Sequence, residues 1–360
     1  EAARAAGAGQ LESAAGRATT SVSSDTYSLE FDASTGMLSS ITNKKSGATT
    51  SLEISWGWYN SSVGGCTKYP DDVPADIREP PCSGQKSGAY IFRPNSSDFY
   101  FPGALQKPTV EVLQGPLVTE VHQKFSDWAS HVIRLYEGKN YVEVEWTAGP
   151  IPVDTPWMPP VAFDTKKKAL PNNWGKEVSV KYASGLKSAA TFYTDSNGKE
   201  MVKRVFNKRA PSYPHPYNIS EPVAGNSYPV NALMSLDAGT HELAVITDVS
   251  QAGASLSDGE LELMVHRRVQ DDDSRGVQGP LNETRGGCND SGADPGKMGK
   301  HGHEGGGGCE CAGLTMRGRH WRVFDTVDNA HEARRQLSEL INFTPTLGFS
   351  SAPLAAQAPF

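Results

Sequence analysis

Alternation of apolar and polar side chains is the dominant pattern along this chain. In the segment YSLEF at 27–31, the apolar residues fall on one side of an extended backbone and the polar residues on the other, as a half-buried strand requires. The turn DASTG follows, and its glycine can adopt the positive φ that lets the chain return. Similar runs, separated by turns rich in Gly, Asn and Asp such as 137–140 and 195–198, occupy 37–42, 132–136, 141–146, 178–182, 243–246, 261–265 and 321–324. Strands at such short intervals indicate an all-β sandwich.

One segment near the end of the chain predicts an α-helix. Asp328 is placed as its N-cap, since a short acidic side chain can accept a hydrogen bond from the first free backbone N–H groups. A spacing of i, i+4, i+7 and i+8 puts four apolar residues on one face of this helix. These residues are Ala333, Leu337, Leu340 and Ile341.

The pattern also predicts how the chain is organised. Residues 1–24 are expected to form a disordered lead, 25–327 a large antiparallel β-supersandwich, and 328–360 the helix with a truncated tail. Two segments have no apolar period and are predicted insertions in the sandwich. They are the Pro- and Lys-rich residues 153–173 and the Gly-rich residues 286–313.

Composition excludes several classes of function. Acidic and basic residues are mixed along all 360 residues and the formal net charge is −7, whereas a nucleic-acid-binding protein shows a concentrated basic face. No apolar run reaches the roughly 18 residues that a membrane span needs. The first residues lack the apolar core of a signal peptide, so an exported protein would carry its signal upstream. We therefore expect no nucleic-acid partner and no membrane span.

Asparagine sequons indicate the cellular compartment. The chain has 15 Asn residues, and chance would place roughly two of them in an Asn-X-Ser/Thr sequon. Six stand in one, namely Asn60, Asn95, Asn218, Asn282, Asn289 and Asn342. The excess predicts a glycoprotein of the secretory pathway. The alternative is that Ser-rich loops produce the excess.

Five cysteines leave the disulfide pattern open. Cys66 and Cys82 bracket a loop rich in Pro and Asp, and Cys288, Cys309 and Cys311 surround the Gly-rich segment. The candidates for disulfides are Cys66, Cys82, Cys288 and Cys309. An odd number of cysteines in an oxidising compartment leaves a free thiol or a partner outside the chain.

No catalytic set of residues stands out from the sequence. The cluster at 271–273 (Asp-Asp-Asp) has two interpretations, a solvated hairpin tip, which we favour, and a cation site. His301, His303 and Glu304, followed by Cys309 and Cys311, are side chains that zinc accepts. Gly residues flank most of them, so a flexible, disulfide-closed loop is favoured over a metal site. We assign no catalytic and no metal-binding residue.

Several long strings of the sequence resemble the acid α-mannosidases of glycoside hydrolase family 38. YSLEFDASTGML at 27–38 is similar to the first strand and hairpin of that family's C-terminal part. KSGAYIFRPN at 86–95 and VEWTAGPIP at 144–152 follow in the expected order. The most specific string is LELMVHRR at 261–268, which continues through DDSRGV to PLNE at 280–283. The resemblance covers roughly residues 25–350, which is too much to be a chance match.

The resemblance implies a retaining exo-α-mannosidase of the lysosome, the vacuole or the secretory pathway, acting on N-linked, mannose-containing oligosaccharides. It also implies a galactose-mutarotase-like sandwich that scaffolds and partly lines the active site. The family's zinc ligands, Asp nucleophile and acid/base residue belong to an N-terminal catalytic domain, and no residue here matches them. We therefore expect zinc only in the full-length enzyme, and no activity from this chain alone.

Two residues of this chain resemble residues of the family's substrate pocket. Tyr90, in SGAY, is similar to a tyrosine that helps to hold the mannose ring, and Arg275, in DDSRG, to an arginine on a loop that reaches toward it. The alternatives are a core aromatic residue of a strand and a solvated hairpin-tip charge. Two other functions remain open, a non-catalytic carbohydrate-binding or interaction glycoprotein, and a different glycosidase whose carboxylates lie within the sandwich.

Overall fold

The computed structural model describes residues 19–62, 85–101, 107–152, 175–209, 221–269, 271–283 and 313–345. Within these ranges the chain forms two antiparallel sheets. The eight-stranded sheet contains β1 (Thr19–Ser23), β2 (Tyr27–Asp32), β3 (Leu38–Asn43), β4 (Thr49–Asn60), β9 (Lys176–Ser184), β12 (Tyr228–Val230), β15 (Gln251–Ala254) and β16 (Glu260–Arg268). The nine-stranded sheet contains β5 (Thr109–Gln114), β6 (Val118–Ser126), β7 (Ala129–Tyr136), β8 (Val142–Ala148), β10 (Thr191–Ser196), β11 (Glu200–Val205), β13 (Leu233–Asp237), β14 (His241–Thr247) and β17 (Met316–Thr326).

The two sheets pack face to face and share one apolar core. Their spatial orders are β1-β2-β3-β4-β9-β16-β15-β12 and β11-β10-β13-β14-β17-β8-β7-β6-β5. In β2, alternate residues from Tyr27 to Phe31 are buried and the residues between them are more exposed, because successive side chains of a strand point to opposite faces. Trp56 and Trp146, both 1% exposed, fill the core from opposite sheets. The predicted mainly-β, two-sheet architecture is confirmed.

The outer face of the nine-stranded sheet carries the helix α1 (Val327–Asn342). Its small buried residues Ala330 and Ala333, together with Leu337, pack on Ala244 and Ile246 of β14 and on side chains of β17. Both faces of β14 are therefore covered. This is why the predicted strand 243–246 is a continuous apolar run rather than an alternating one.

The helix itself was predicted, but two of its details were wrong. Strand β17 runs directly into it, so Thr326 is the N-cap, without a side-chain cap hydrogen bond, and Asp328 lies in the first turn. There its charge still favours the positive end of the helix dipole. Leu340, predicted on the packed face, is 63% exposed, since the sheet meets only the side of the helix that carries Ala330 and Leu337.

Some predicted boundaries fall outside the described residues, and one is wrong. Residues 19–23 were assigned to a disordered lead, but they form β1, which pairs with β2. Residues 1–18, the insertion at 153–173, most of the insertion at 286–313 and the tail after 345 lie outside the described ranges. No helix in the described ranges is long and apolar enough to cross a membrane.

Two histidines lie inside the sandwich core, and hydrogen bonds fix His131 as a neutral group. Trp56 Nε1 donates to His131 Nδ1 at 3.0 Å, and His131 Nε2 lies 2.6 Å from Gln123 Oε1. An indole N–H can only donate. Nδ1 of His131 is therefore unprotonated, and the proton on Nε2 is donated to Gln123.

His320 occupies a similar site near the middle of β17. Its Nδ1 lies 2.7 Å from the Tyr182 hydroxyl and its Nε2 3.0 Å from Gln251 Oε1. Burial lowers the pKa of His131 and of His320 to about 3, with the positive charge of Arg322 acting in the same direction. Both imidazoles are therefore neutral over most of the acid range.

The protein should lose stability as the pH falls. Histidines of the unfolded chain titrate near pH 6.5, so between about pH 6.5 and 3 the unfolded state binds more protons and the free energy of unfolding decreases. At pH 4.5 the loss is roughly 2–3 kcal/mol for each buried histidine. Urea unfolding at pH 7 and 4.5, followed by tryptophan fluorescence, measures it.

A matched pair of variants separates these histidines from other titrating groups. His320→Gln should reduce the difference between the two pH values. His122→Gln, at a partly exposed position on the outer face of β6 beside Glu120, should reduce the difference less than His320→Gln does. Equal stability of the unaltered protein at the two pH values would contradict the prediction.

Candidate functional site

Two loops leave the same end of the eight-stranded sheet. The first loop, residues 85–93, is held beside the end of β4, where Ser62 N–H donates to Arg93 O at 2.8 Å. The second loop, residues 271–278, follows β16. Strand β9 lies between β4 and β16, and its first residue, Lys176, is opposite both Asn60 and Arg268. The sheet register therefore brings the two loops together.

The carboxylate of Asp273 joins the two loops. It accepts hydrogen bonds from the backbone N–H groups of Tyr90 at 2.6 Å and of Ile91 and Arg275 at 3.0 Å. A Cβ on Gly88 would lie 2.6 Å from the backbone N of Asp273, so only glycine permits this close approach. Asp273 is 2% exposed, and its side chain organises both loops.

The favoured interpretation of 271–273 as a solvated hairpin tip was therefore wrong for Asp273. Asp271 is also paired, with Lys86 Nζ 2.6 Å from its Oδ1. The described part of the segment after β16 is not a hairpin either. It returns to Val269, whose N–H donates to Leu281 O at 2.9 Å, while the next strand in the described ranges, β17, belongs to the other sheet.

The hydrogen bonds to Asp273 also set its ionisation. Burial raises the pKa of this carboxyl, but the backbone N–H groups of Tyr90, Arg275 and Ile91 outweigh burial and lower the pKa below its ordinary value. Such a carboxylate stabilises the folded form above its unfolded pKa and stops doing so only as the pH falls through the lowered value. We therefore expect the loops to stay joined in mildly acidic solution.

A buried ion pair fixes the first loop to the sheet beneath it. Arg267 Nε lies 2.5 Å from Glu177 Oε2, and the Ser87 hydroxyl donates to the other carboxylate oxygen. The guanidinium also donates to the backbone carbonyls of Gly88 at 2.8 Å and Ile91 at 2.9 Å. Glu177 is fully buried. The base of the site is therefore rigid and its charges are paired.

Above this base, the two joined loops carry the two predicted site residues, Tyr90 and Arg275. Tyr90 is 66% exposed, so its alternative interpretation as a core aromatic residue is wrong. Its ring edge lies 4.0 Å from the position of a Cβ on Gly276. Arg275 is exposed, and its Nε and Nη2 donate to Gln85 Oε1 at 3.0 and 2.5 Å. Gln85 in turn donates to Asp273 O at 3.0 Å.

The backbone of the second loop is unusual where it carries Arg275. Ser274 and Gln278 have φ of 60° and 61°, and Gly276 has φ of 127°. Positive φ is uncommon for residues other than glycine and is held only where surrounding contacts determine it. The hydrogen bonds to Asp273 and Gln85 supply those contacts, so the direction of the Arg275 side chain is fixed by the fold.

Sequence reasoning missed Gln85, Arg267 and Glu177 as parts of this site. Gln85 directly precedes the string KSGAY, and Arg267 lies within LELMVHRR, so both stood beside recognised strings. Their contacts join residues separated by 90 or more positions. No local pattern in the sequence reports such contacts.

The sequons lie in different environments. Asn60 is 6% exposed and its Oδ1 accepts from Trp58 Nε1 at 3.1 Å, whereas Asn95 is exposed. Asn282 Oδ1 accepts from Arg268 Nε at 2.6 Å, and Asn342 Nδ2 donates to Ser338 O at 3.2 Å. The remaining candidates lie outside the described residues, namely Asn218, Asn289, the five cysteines, His301, His303 and Glu304.

The family of this chain follows from comparison with known proteins. A model of the C-terminal domain of glycosyl hydrolases family 38 matches residues 22–275. The chain belongs to glycosyl hydrolase family 38. Lysosomal alpha-mannosidase of Mus musculus is 37% identical over 331 residues, which are 92% of this chain and 26% of that protein. The family resemblance inferred from the sequence is therefore confirmed.

Other family 38 proteins match to a similar extent. Lysosomal alpha-mannosidase of Homo sapiens is 38% identical over 316 residues, covering 86% of this chain and 24% of that protein. An alpha-mannosidase of Canavalia ensiformis is 37% identical over 323 residues, covering 89% and 27%. The chain thus spans about a quarter of the length of these relatives.

Solved structures show only distant similarity. An alpha-mannosidase from Enterococcus faecalis has a TM-score of 0.48 and 13% identity, covering 88% of this chain and 31% of that chain. A galactose mutarotase-like protein from Lactobacillus casei has a TM-score of 0.34 and 9% identity, covering 85% and 100%. The family 38 assignment therefore depends on the sequence matches.

Replacing Asp273 should loosen both loops while leaving the sheets intact. In Asp273→Asn the charged acceptor becomes a neutral amide, one side of which is a donor facing backbone N–H groups. Hydrogen–deuterium exchange of residues 85–93 and 271–278 should become faster by at least about tenfold, which corresponds to the loss of roughly one charge-assisted hydrogen bond. Exchange in β7 and β17 should not change.

Asp127→Asn is the control for this experiment. Asp127 is an almost fully exposed carboxylate that pairs with Lys124 at 2.8 Å in the turn after β6. Its replacement should leave exchange in both loops as it is. Unchanged loop exchange in Asp273→Asn as well would show that the carboxylate does not hold the loops together.

Proposed function

We propose that this chain is the C-terminal, β-rich part of a retaining exo-α-mannosidase. It hydrolyses terminal α-mannose from N-linked oligosaccharides together with the N-terminal catalytic domain, whose site it scaffolds and partly lines. Family 38 membership supports the hydrolase class, and relatives named lysosomal alpha-mannosidase support the substrate. The observation that carries the proposed site is the exposure of Tyr90 and Arg275 on two loops that Asp273 joins above the buried Arg267–Glu177 ion pair.

The two exposed side chains suit a sugar. A tyrosine presents a ring face and a hydroxyl that can donate or accept, and a guanidinium presents several donors to the hydroxyl oxygens of a pyranose. Two nitrogens of Arg275 already donate to Gln85. These hydrogen bonds orient the Arg275 side chain before a ligand binds. Pre-organisation of this kind reduces the entropy lost on binding.

The chemical step is proposed to belong to the catalytic domain. A retaining glycosidase needs two carboxyl groups about 5–5.5 Å apart, one of them free to act as a nucleophile. The buried carboxylates Glu143, Glu177 and Glu262 are each tied to a basic side chain. Turnover of an aryl α-mannoside by the isolated chain would contradict this assignment and favour a glycosidase with its carboxylates within the sandwich.

Zinc is proposed for the full-length enzyme and not for this part of it. In the described ranges, no three His, Cys, Asp or Glu side chains gather into a group that could hold a metal ion. Asp273 and Asp271 are instead occupied by backbone N–H groups and by Lys86. We therefore place no zinc on Asp271 or Asp273, and we derive no step through a metal here.

A second candidate is a non-catalytic carbohydrate-binding or interaction glycoprotein. The same exposed pair, Tyr90 and Arg275, would then bind a sugar without contributing to a reaction. The relatives' names favour the enzyme, and they also favour the lysosome, the vacuole or the secretory pathway as its location. The two candidates differ in whether the full-length protein hydrolyses an aryl α-mannoside.

Arg275→Ala in the full-length enzyme should lower kcat/KM for an aryl α-mannoside. One charge-assisted hydrogen bond contributes about 1.5–3 kcal/mol, which corresponds to a loss of roughly tenfold to a hundredfold in rate. Tyr90→Phe, which keeps the ring and removes the hydroxyl, should give a smaller loss in the same direction. The melting temperature is measured for each variant.

Arg317→Ala provides the matched control. Arg317 is exposed at the start of β17 in the other sheet, so its removal should change neither kcat/KM nor melting. A rate loss in Arg275→Ala at unchanged melting temperature supports the pocket role. An unchanged kcat/KM would return Arg275 to a solvated surface position, whereas a full-length protein without turnover would favour the non-catalytic candidate.

We also propose that Asn95 carries an N-linked glycan and that Asn60 does not. Asn95 is exposed, whereas Asn60 is buried and bonded to Trp58, and a glycosylated amide must remain in solvent. After expression through a eukaryotic secretory pathway, peptides containing each sequon are compared by mass before and after endoglycosidase treatment. A glycan on Asn60, or none on Asn95, would refute this assignment.

A further inference from the structure

Arg322 is a cation in the middle of the sandwich core, between the two sheets. The residue is fully buried on β17. Its Nε, Nη1 and Nη2 have no hydrogen-bond acceptor among the residues that the structure describes. The ring of Tyr182, reaching across from β9, lies 5.6 Å from its Cζ. A guanidinium in this position has lost its water and gained only the weak attraction of an aromatic face.

A buried charged group without a hydrogen-bond partner is an exception within this fold. Among the described residues, other buried charged side chains have polar partners at hydrogen-bond or ion-pair distance. The carboxylates of Glu143, Glu177, Glu242 and Glu262 pair with Arg134, Arg267, Arg334 and Lys181, and the ammonium of Lys176 donates to Pro152 O. An ionised group buried without a partner is strongly destabilising, so the Arg322 guanidinium requires a compensating charge.

No neighbouring side chain in the described ranges supplies that charge. Burial lowers the pKa of Arg322 only to about 10, so the guanidinium stays protonated at neutral pH. His131 is neutral because it accepts from Trp56, and burial lowers the pKa of both His131 and His320 to about 3. Burial raises the pKa of Tyr27 to about 12 and raises that of Tyr182 as well, so neither hydroxyl ionises. The cluster therefore has a net positive charge.

Other donors between the two sheets also lack partners. Trp146 Nε1 and the Thr247 hydroxyl have none among the described residues, and neither has Gln251 Nε2. Thr247 is directly opposite His320 across the β14–β17 ladder, and Trp146 is opposite Gly318 across the β8–β17 ladder. Gln251, on β15 of the facing sheet, lies 3.0 Å from His320. Two of these three unpartnered groups are N–H donors, which only an acceptor can satisfy.

We propose that the core binds a small monovalent anion, of the halide class, against the Arg322 guanidinium. One negative charge matches one guanidinium, and a halide accepts hydrogen bonds from every direction. Arg322, His320 and Tyr182 are all fully buried, so a polyatomic dianion would have to be stripped of far more hydration to enter. The site stabilises the sandwich and does not depend on the function proposed above.

Two measurements on the full-length protein test this proposal with sodium chloride and sodium bromide as probes. The melting temperature in chloride should exceed that in gluconate at equal pH and ionic strength, by about 3 °C or more at saturating halide. Crystals grown in bromide should show an anomalous peak beside the Arg322 guanidinium. Equal melting in the two salts together with no bromide peak at Arg322 would overturn the proposal and leave water as the acceptor.

Two variants assign any halide effect to this residue. Arg322→Met keeps much of the side-chain length and removes the charge, so melting should no longer depend on chloride. Arg319→Met, three residues earlier on the same strand, removes an exposed arginine that pairs with Glu145 at 3.2 Å, and its halide response should stay. An unchanged response in Arg322→Met would refute the site. If that variant does not fold, the bromide map of the unaltered protein decides.

Discussion

Strand β9 pairs with β4 on one side and with β16 on the other, and its first residue, Lys176, faces the last residues of both. This register places the loops 85–93 and 271–278 at one end of the sheet, although Tyr90 and Asp273 are 183 residues apart in sequence. Asp273 can accept from Tyr90 and Ile91 only because of that register. The exposed pair Tyr90 and Arg275 depends on the same constraint.

The sandwich also has to bury an unusual amount of polarity. His131, His320 and Arg322 all lie between the sheets, where a purely apolar core would be cheaper to desolvate. Neutral tautomers and hydrogen bonds to Trp56 and Tyr182 satisfy the two histidines. Arg322 has no such solution among the described side chains. Polar groups that are fully hydrogen-bonded in a core, as the two histidines are, favour one packing arrangement over others. A single packing arrangement of the two sheets also fixes the positions of the loops that leave them.

The loop pair satisfies its buried charged groups in two different ways. In the loop pair, a buried carboxylate is satisfied by backbone N–H groups, and beneath it Arg267 is satisfied by Glu177 and two carbonyls. The side chains of Tyr90 and Arg275 lie exposed above these groups, and that of Arg275 donates to Gln85. The proposed role at the site of a neighbouring domain would require this division, because a mobile loop would lose binding free energy to its own ordering.

The sequence by itself determined the strand content, the order of the turns and the family. Alternation in YSLEF and the turn at 195–198 are local, and local hydrophobic periodicity follows directly from strand geometry. The strings KSGAY and DDSRG identified Tyr90 and Arg275 by resemblance. Sequence could not reveal that Asp273 is buried, that Leu340 is exposed or that Asn60 is inaccessible. The exposure of these residues depends on the sheet register and on which face of each strand or helix packs against another element. Pairing between distant strands leaves no local pattern in the sequence.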